Sequence, residues 1–71
     1  MVEARKRYIV IRETEKEVRR FTAMITWVED RGDFWYIGYK PDDIRVCRFG
    51  TLKVKKVGKY KAVNYSFENI K

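Results

Sequence analysis

Residues 21–39 read FTAMITWVEDRGDFWYIGY, and this stretch decides the fold. Apolar and polar side chains alternate on both sides of Asp30-Arg31-Gly32, the pattern of two half-buried strands joined by a tight turn. A three-residue loop with Gly32 in the left-handed position predicts that Trp27 faces Trp35, Ile25 faces Ile37 and Ala23 faces Tyr39. One face of the hairpin then carries Phe21, Ala23, Ile25, Trp27, Trp35, Ile37 and Tyr39, nearly all apolar. The other carries Arg20, Thr22, Met24, Thr26, Val28, Phe34, Tyr36 and Lys40. A two-residue loop would set odd positions against even ones and mix the two sets, because a slip of one residue turns every side chain over.

The same alternation extends outward. Six strands are expected, at about 6–13, 17–29, 33–40, 44–49, 51–57 and 60–67. Polar Glu13-Thr14-Glu15-Lys16 and the run Lys40-Pro41-Asp42-Asp43 mark turns. Gly50-Thr51 and Gly58-Lys59 each place glycine first, as a type II′ hairpin requires. Those turns would pair Phe49 with Leu52, Cys47 with Val54, Val54 with Val63 and Leu52 with Tyr65, with Phe67 beside them. Residues 1–71 are therefore expected to form one all-β domain. It reads as a five- or six-stranded antiparallel meander curled into a small barrel, with an SH3-like or OB-like half-open barrel as the alternative.

A chain of 71 residues buries only about 60% of its unfolded surface. A single cysteine and no histidine leave neither an intrachain disulfide nor a zinc site to reinforce it. Aromatic residues, 15% of the chain, supply the core instead. Glutamine and histidine are absent while lysine, arginine, glutamate, valine, isoleucine and tyrosine dominate, a bias that points to a hot environment. The charged N-terminus has no apolar leader, and the longest apolar run, Phe34 to Tyr39, is far short of the roughly 20 residues of a membrane span. With one free thiol, the reading is cytoplasmic.

Catalysis finds no support. Histidine, the usual proton-transfer group near neutrality, is missing, and Ser66 has no partner to activate it. Cys47 falls on an expected core face, where thiols are inert. The four glycines, Gly32, Gly38, Gly50 and Gly58, are too dispersed for a phosphate-cradling loop. The aspartates at Asp30, Asp33, Asp42 and Asp43 lack the spacing of a calcium loop. No catalytic residue, metal ligand or cofactor is expected.

Charge is informative. The net +7 of the chain is not spread evenly. Residues 1–43 hold nine basic and nine acidic residues. Residues 44–71 hold eight basic residues (Arg45, Arg48, Lys53, Lys55, Lys56, Lys59, Lys61, Lys71) against Glu68 alone. A dense surface of one sign repels itself, and phosphate backbones are its commonest partner because each neutralised phosphate releases counterion. The expected nucleic-acid contacts are Arg48, Lys53, Lys55 and Lys61, joined by Arg20 and Lys40, with Phe34, Tyr36 and Tyr60 as stacking rings. The profile resembles, in type alone, the small barrel-like chromatin proteins of hot-spring archaea. No stretch matches them position by position, so no binding residue is carried over. The absence of a long basic tail leans the reading to DNA over RNA or ribosome. The competing expectation is a protein-interaction module docking on an acidic partner.

Overall fold

A computed structural model describes residues 2–45 and 48–70. Five strands are present: β1 (Arg7–Glu13), β2 (Val18–Arg31), β3 (Phe34–Pro41), β4 (Gly50–Lys55) and β5 (Asn64–Asn69). They form one antiparallel sheet in the order β4-β3-β2-β1-β5. No helix occurs among the described residues, so none is long and apolar enough to cross a membrane. β4 and β5 do not pair with each other, so the sheet is not closed and is compatible with a small half-open barrel.

The first turn forms where the polar run placed it. Thr14 Oγ1 accepts from the amides of Lys16 and Glu17 at 3.3 and 3.2 Å, and the Thr14 amide donates to the Glu17 carbonyl at 2.9 Å. β1 and β2 then pair with Tyr8 opposite Ala23 and Val10 opposite Phe21.

The central hairpin departs from the expected register. Arg31 pairs with Phe34 across a two-residue loop, Gly32-Asp33, and Trp27 faces Gly38 rather than Trp35. Gly32, at φ 73°, occupies the first central position, the site where a type II′ turn needs glycine. Its amide donates to Asp30 Oδ1 at 3.1 Å. Near this turn odd residues of β2 do oppose even ones of β3, as a two-residue loop requires. The mixing of faces is repaired by a bulge. The register shifts between Ile25 and Trp27, leaving Thr26 as the extra residue, and beyond it Ile25 pairs with Tyr39 and Ala23 with Pro41. An inserted residue changes the parity of a strand. The inward set on β2 is therefore Phe21, Ala23, Ile25 and then Val28, while Trp27 turns outward. Ile37 faces Val28, not Ile25.

Of the expected fourth strand at 44–49, the described residues 44, 45, 48 and 49 lie in no strand. Ile44 and Arg45 lie in a turn held by Asp43, whose Oδ1 accepts from the Arg45 amide at 3.0 Å, and Phe49 precedes the strand. Cys47, and with it the expected Cys47–Val54 pair, lies outside the described residues. Gly50 opens β4 instead of turning a hairpin, facing Tyr39. This register sets Leu52 beside Ile37 and Val54 beside Trp35 on the inner face, an alignment that an intervening strand would have prevented. The last hairpin is also displaced. Its tight turn lies at Lys61-Ala62, where the Val63 amide donates to the Tyr60 carbonyl at 3.0 Å. β5 leaves β4 altogether and pairs with β1, placing Phe67 opposite Val10 and Tyr65 opposite Arg12. The reason is apolar burial: Phe67 meets Tyr8 edge-on at 6.3 Å between ring centroids.

The core is Val2, Tyr8, Val10, Ala23, Ile25, Ile37 and Leu52, with Phe21, Val28, Trp35, Tyr39, Val54, Tyr65 and Phe67 packed around it. All five strands contribute, so the inner face of the curved sheet is spoken for. The outer face and the rims are left open to solvent.

Candidate nucleic-acid interface

Strand pleating sends alternate side chains of β3 outward: Phe34, Tyr36, Gly38 and Lys40. On β4 the matching outward set is Thr51, Lys53 and Lys55, with Tyr36 opposite Lys53 and Phe34 opposite Lys55. The chain after β4 returns over this surface and delivers Tyr60 and Lys61. Phe34 and Tyr60 meet edge-on with centroids 5.1 Å apart. The Lys53 ammonium sits 4.4 Å from the Phe34 centroid, 4.4 Å from that of Tyr60 and 5.9 Å from that of Tyr36. Lys61 lies 5.3 Å from the Tyr60 ring. Three rings and three lysines thus form one continuous patch, which includes five of the expected contacts in direct touch and Lys55 beside them.

Among the described residues no carboxylate pairs with the three lysines of this patch, Lys53, Lys55 and Lys61. The neighbouring Lys56 differs. Its ammonium donates to Asp30 Oδ1 at 2.6 Å and lies 4.3 Å over the Trp35 ring. That hydrogen bond holds the Asp30 carboxyl below its ordinary value. Lys56 therefore works as a structural charge at the hairpin, whereas Lys53, Lys55 and Lys61 have no carboxylate partner among the described residues.

The other expected contacts fall elsewhere. Arg20 is on the outer face but on β2, facing Ile11 of β1, with Glu68 at 3.6 Å. Lys40 is on the same face of β3 as Tyr36, at its far end, opposite Met24. Arg48 is exposed and lies in no strand.

Two residues of the patch were missed in the sequence. Arg31 places its guanidinium 4.3 Å over the Tyr36 ring and pairs with Glu29 at 3.1 Å. The hydrogen bond it donates to Glu29 raises the guanidinium further above its already high value. Glycine at the first position of the loop was the available signal, since a two-residue turn puts Arg31 directly opposite Phe34. Trp27, expected in the core, is 41% exposed, with its indole laid on Gly38. Beside it Thr26, Tyr39, Lys40, Phe49, Gly50 and Thr51 line a shallow groove of about 530 Å³. Comparison with family models, with curated proteins and with solved structures finds no match to this chain.

Proposed function

We propose that this protein is a small, non-enzymatic nucleic-acid-binding module whose contact surface is the outer face of β3 and β4 with the Tyr60-Lys61 turn. The observation that supports it is the joining of Phe34, Tyr36 and Tyr60 with Lys53, Lys55 and Lys61, three cations that have no carboxylate partner among the described residues. Phosphates engage the lysines and bases engage the rings. In the free protein Lys53 rests on the rings, and an exposed cation–π contact is worth about 0.5–1 kcal/mol. Base stacking on an exposed ring is worth about 1–3 kcal/mol. Exchange of Lys53 from ring to phosphate, with a base taking its place, is favourable on that balance, and counterion release adds to it. The module operates in a reducing cytoplasm, and its composition suits a hot one. Fluorescence anisotropy with labelled oligonucleotides across a salt series tests the reading: binding should weaken steeply with salt and should depend on Lys53.

A second reading, a protein-interaction module, is supported by a different surface. Ile44 and Phe49 are 62% and 73% exposed and flank Arg45 and Arg48 before β4. An apolar pair ringed by arginines is interface-like in composition. Binding to an acidic protein that survives high salt and is abolished by Phe49→Ala, with no affinity for oligonucleotides, would favour it.

A further inference from the structure

We infer that the ligand class is single-stranded nucleic acid, laid along β3 with its bases on a row of rings and its phosphates on the adjoining lysines of β4. The inference rests on the nucleic-acid reading above and deepens it. Side chains on one face of a strand recur every second residue, about 6.8 Å apart. On the outer face of β3 those positions are Phe34, Tyr36, Gly38 and Lys40. Gly38 has no side chain, and the Trp27 indole occupies the space above it. The row therefore reads ring, ring, ring, cation. β4 runs beside it, about 4.8 Å away, with Lys55 next to Phe34, Lys53 next to Tyr36 and Thr51 next to Gly38. The rings thus follow β3 and the lysines root on β4 beside them, with the Lys53 ammonium reaching across to the Phe34 ring.

A duplex does not fit that pattern. Its bases rise about 3.4 Å per step on each strand, half the spacing of the rings, and each base face is covered by its neighbours. What a duplex offers a protein is phosphates and base edges. A row of rings has no use for either unless a step is first unstacked. An extended single strand presents bases pulled apart, each with a free face, and its backbone follows a line parallel to them. Three rings in the row call for three or four nucleotides. Tyr60, edge-on to Phe34, extends the patch at one end. The groove between Trp27, Lys40 and Phe49 receives a nucleotide at the other.

The test uses the full chain with an oligothymidylate and a mixed-sequence duplex, each of about 12 units, a length within the usual single-strand site sizes, at a low salt of about 50 mM. Tryptophan emission and anisotropy are read together. The single strand should bind at least about tenfold more tightly than the duplex, as one stacked base is worth that factor. It should quench the emission, and Trp27→Phe should remove most of the quenching, because Trp35 lies on the opposite face. Tyr36→Ala should weaken the single strand by about tenfold and the duplex much less. Equal or tighter binding of the duplex would overturn the inference and leave the nucleic-acid reading in place. Single-strand binding without Trp27-dependent quenching would remove the row as its track. Binding to neither probe would overturn both readings.

Discussion

The indole of Trp27 fills the space where a Gly38 side chain would stand, so that the largest side chain of β2 covers the one residue of β3 that has none. A methyl group on Gly38 would overlap the indole Nε1 and Cδ1. Gly38→Ala should therefore lift the indole off the sheet and lower stability by about 1–3 kcal/mol. The two residues touch, so the double variant Trp27→Ala/Gly38→Ala should cost less than the sum of the single ones. Urea denaturation of the four proteins measures the coupling.

Ile25 and Ile37 are fully enclosed between the curved halves of the sheet. Ile25→Ala or Ile37→Ala should each cost about 2–5 kcal/mol, a large share of the stability of so small a domain. Trp27→Ala, by contrast, removes a side chain that already meets solvent and should cost less than either. Equilibrium denaturation ranks the three directly.

Lys61 and Ala62 both adopt left-handed backbone conformations, at φ 52° and 60°. Such conformations cost an L-residue about 1–2 kcal/mol relative to the right-handed form. Ala62→Gly should therefore raise the thermal midpoint, while keeping Lys61 on the patch and leaving binding unchanged. A drop in the midpoint would mean that the turn is not built this way.

Among the lysines, Lys53→Ala, Lys55→Ala and Lys61→Ala should each reduce the slope of log K against log salt by about one. Tyr60→Ala should weaken affinity at every salt concentration with little change of slope, because stacking releases no counterion. Arg20→Ala should change neither by much, since Glu68 already answers its charge. A salt series for each variant separates these behaviours.

Asp30 is held below the ordinary carboxyl value of 3.8 by its hydrogen bond from Lys56. A folded value below the unfolded one means that the pair contributes fully above that range and is lost as pH falls through it. Asp43, hydrogen-bonded by Arg45, shifts in the same direction. Both groups are open to solvent, so the effect is small. The stability of Asp30→Asn should fall less than that of the parent between neutral pH and pH below 3.8. Urea midpoints across that range provide the measurement.

The sequence made the strands at 7–13, 18–31 and 34–41 legible because period-two alternation and a polar turn are local signals. Inward placement of Ile25, Ile37, Leu52 and Trp35 followed from the same alternation. Trp27 and Val28 were assigned to the wrong faces, since one inserted residue at Thr26 reverses the parity and nothing in its neighbours announces it. The pairing of β5 with β1 was also hidden. Tyr65 and Phe67 alternate equally well against β4 or β1, and only the three-dimensional fit of Phe67 to Tyr8 and Val10 decides. The outward faces of β3 and β4 were more legible than the topology. Phe34, Tyr36, Lys53 and Lys55 depend only on the face that each strand turns outward, and parity on β3 and β4 was read correctly.

β4 ends the sheet with one row of backbone amides and carbonyls unpaired by any described strand. Such a border is a template on which a second chain can polymerise, and lysines along it are a common deterrent. Lys53 and Lys55 are thus placed to guard against self-association as well as to serve the proposed contact surface. Neutralising them, whether by substitution or by a saturating polyanion, lifts the electrostatic barrier along that border. Solubility should therefore be lowest near charge equivalence with the polyanion and recover on either side of it.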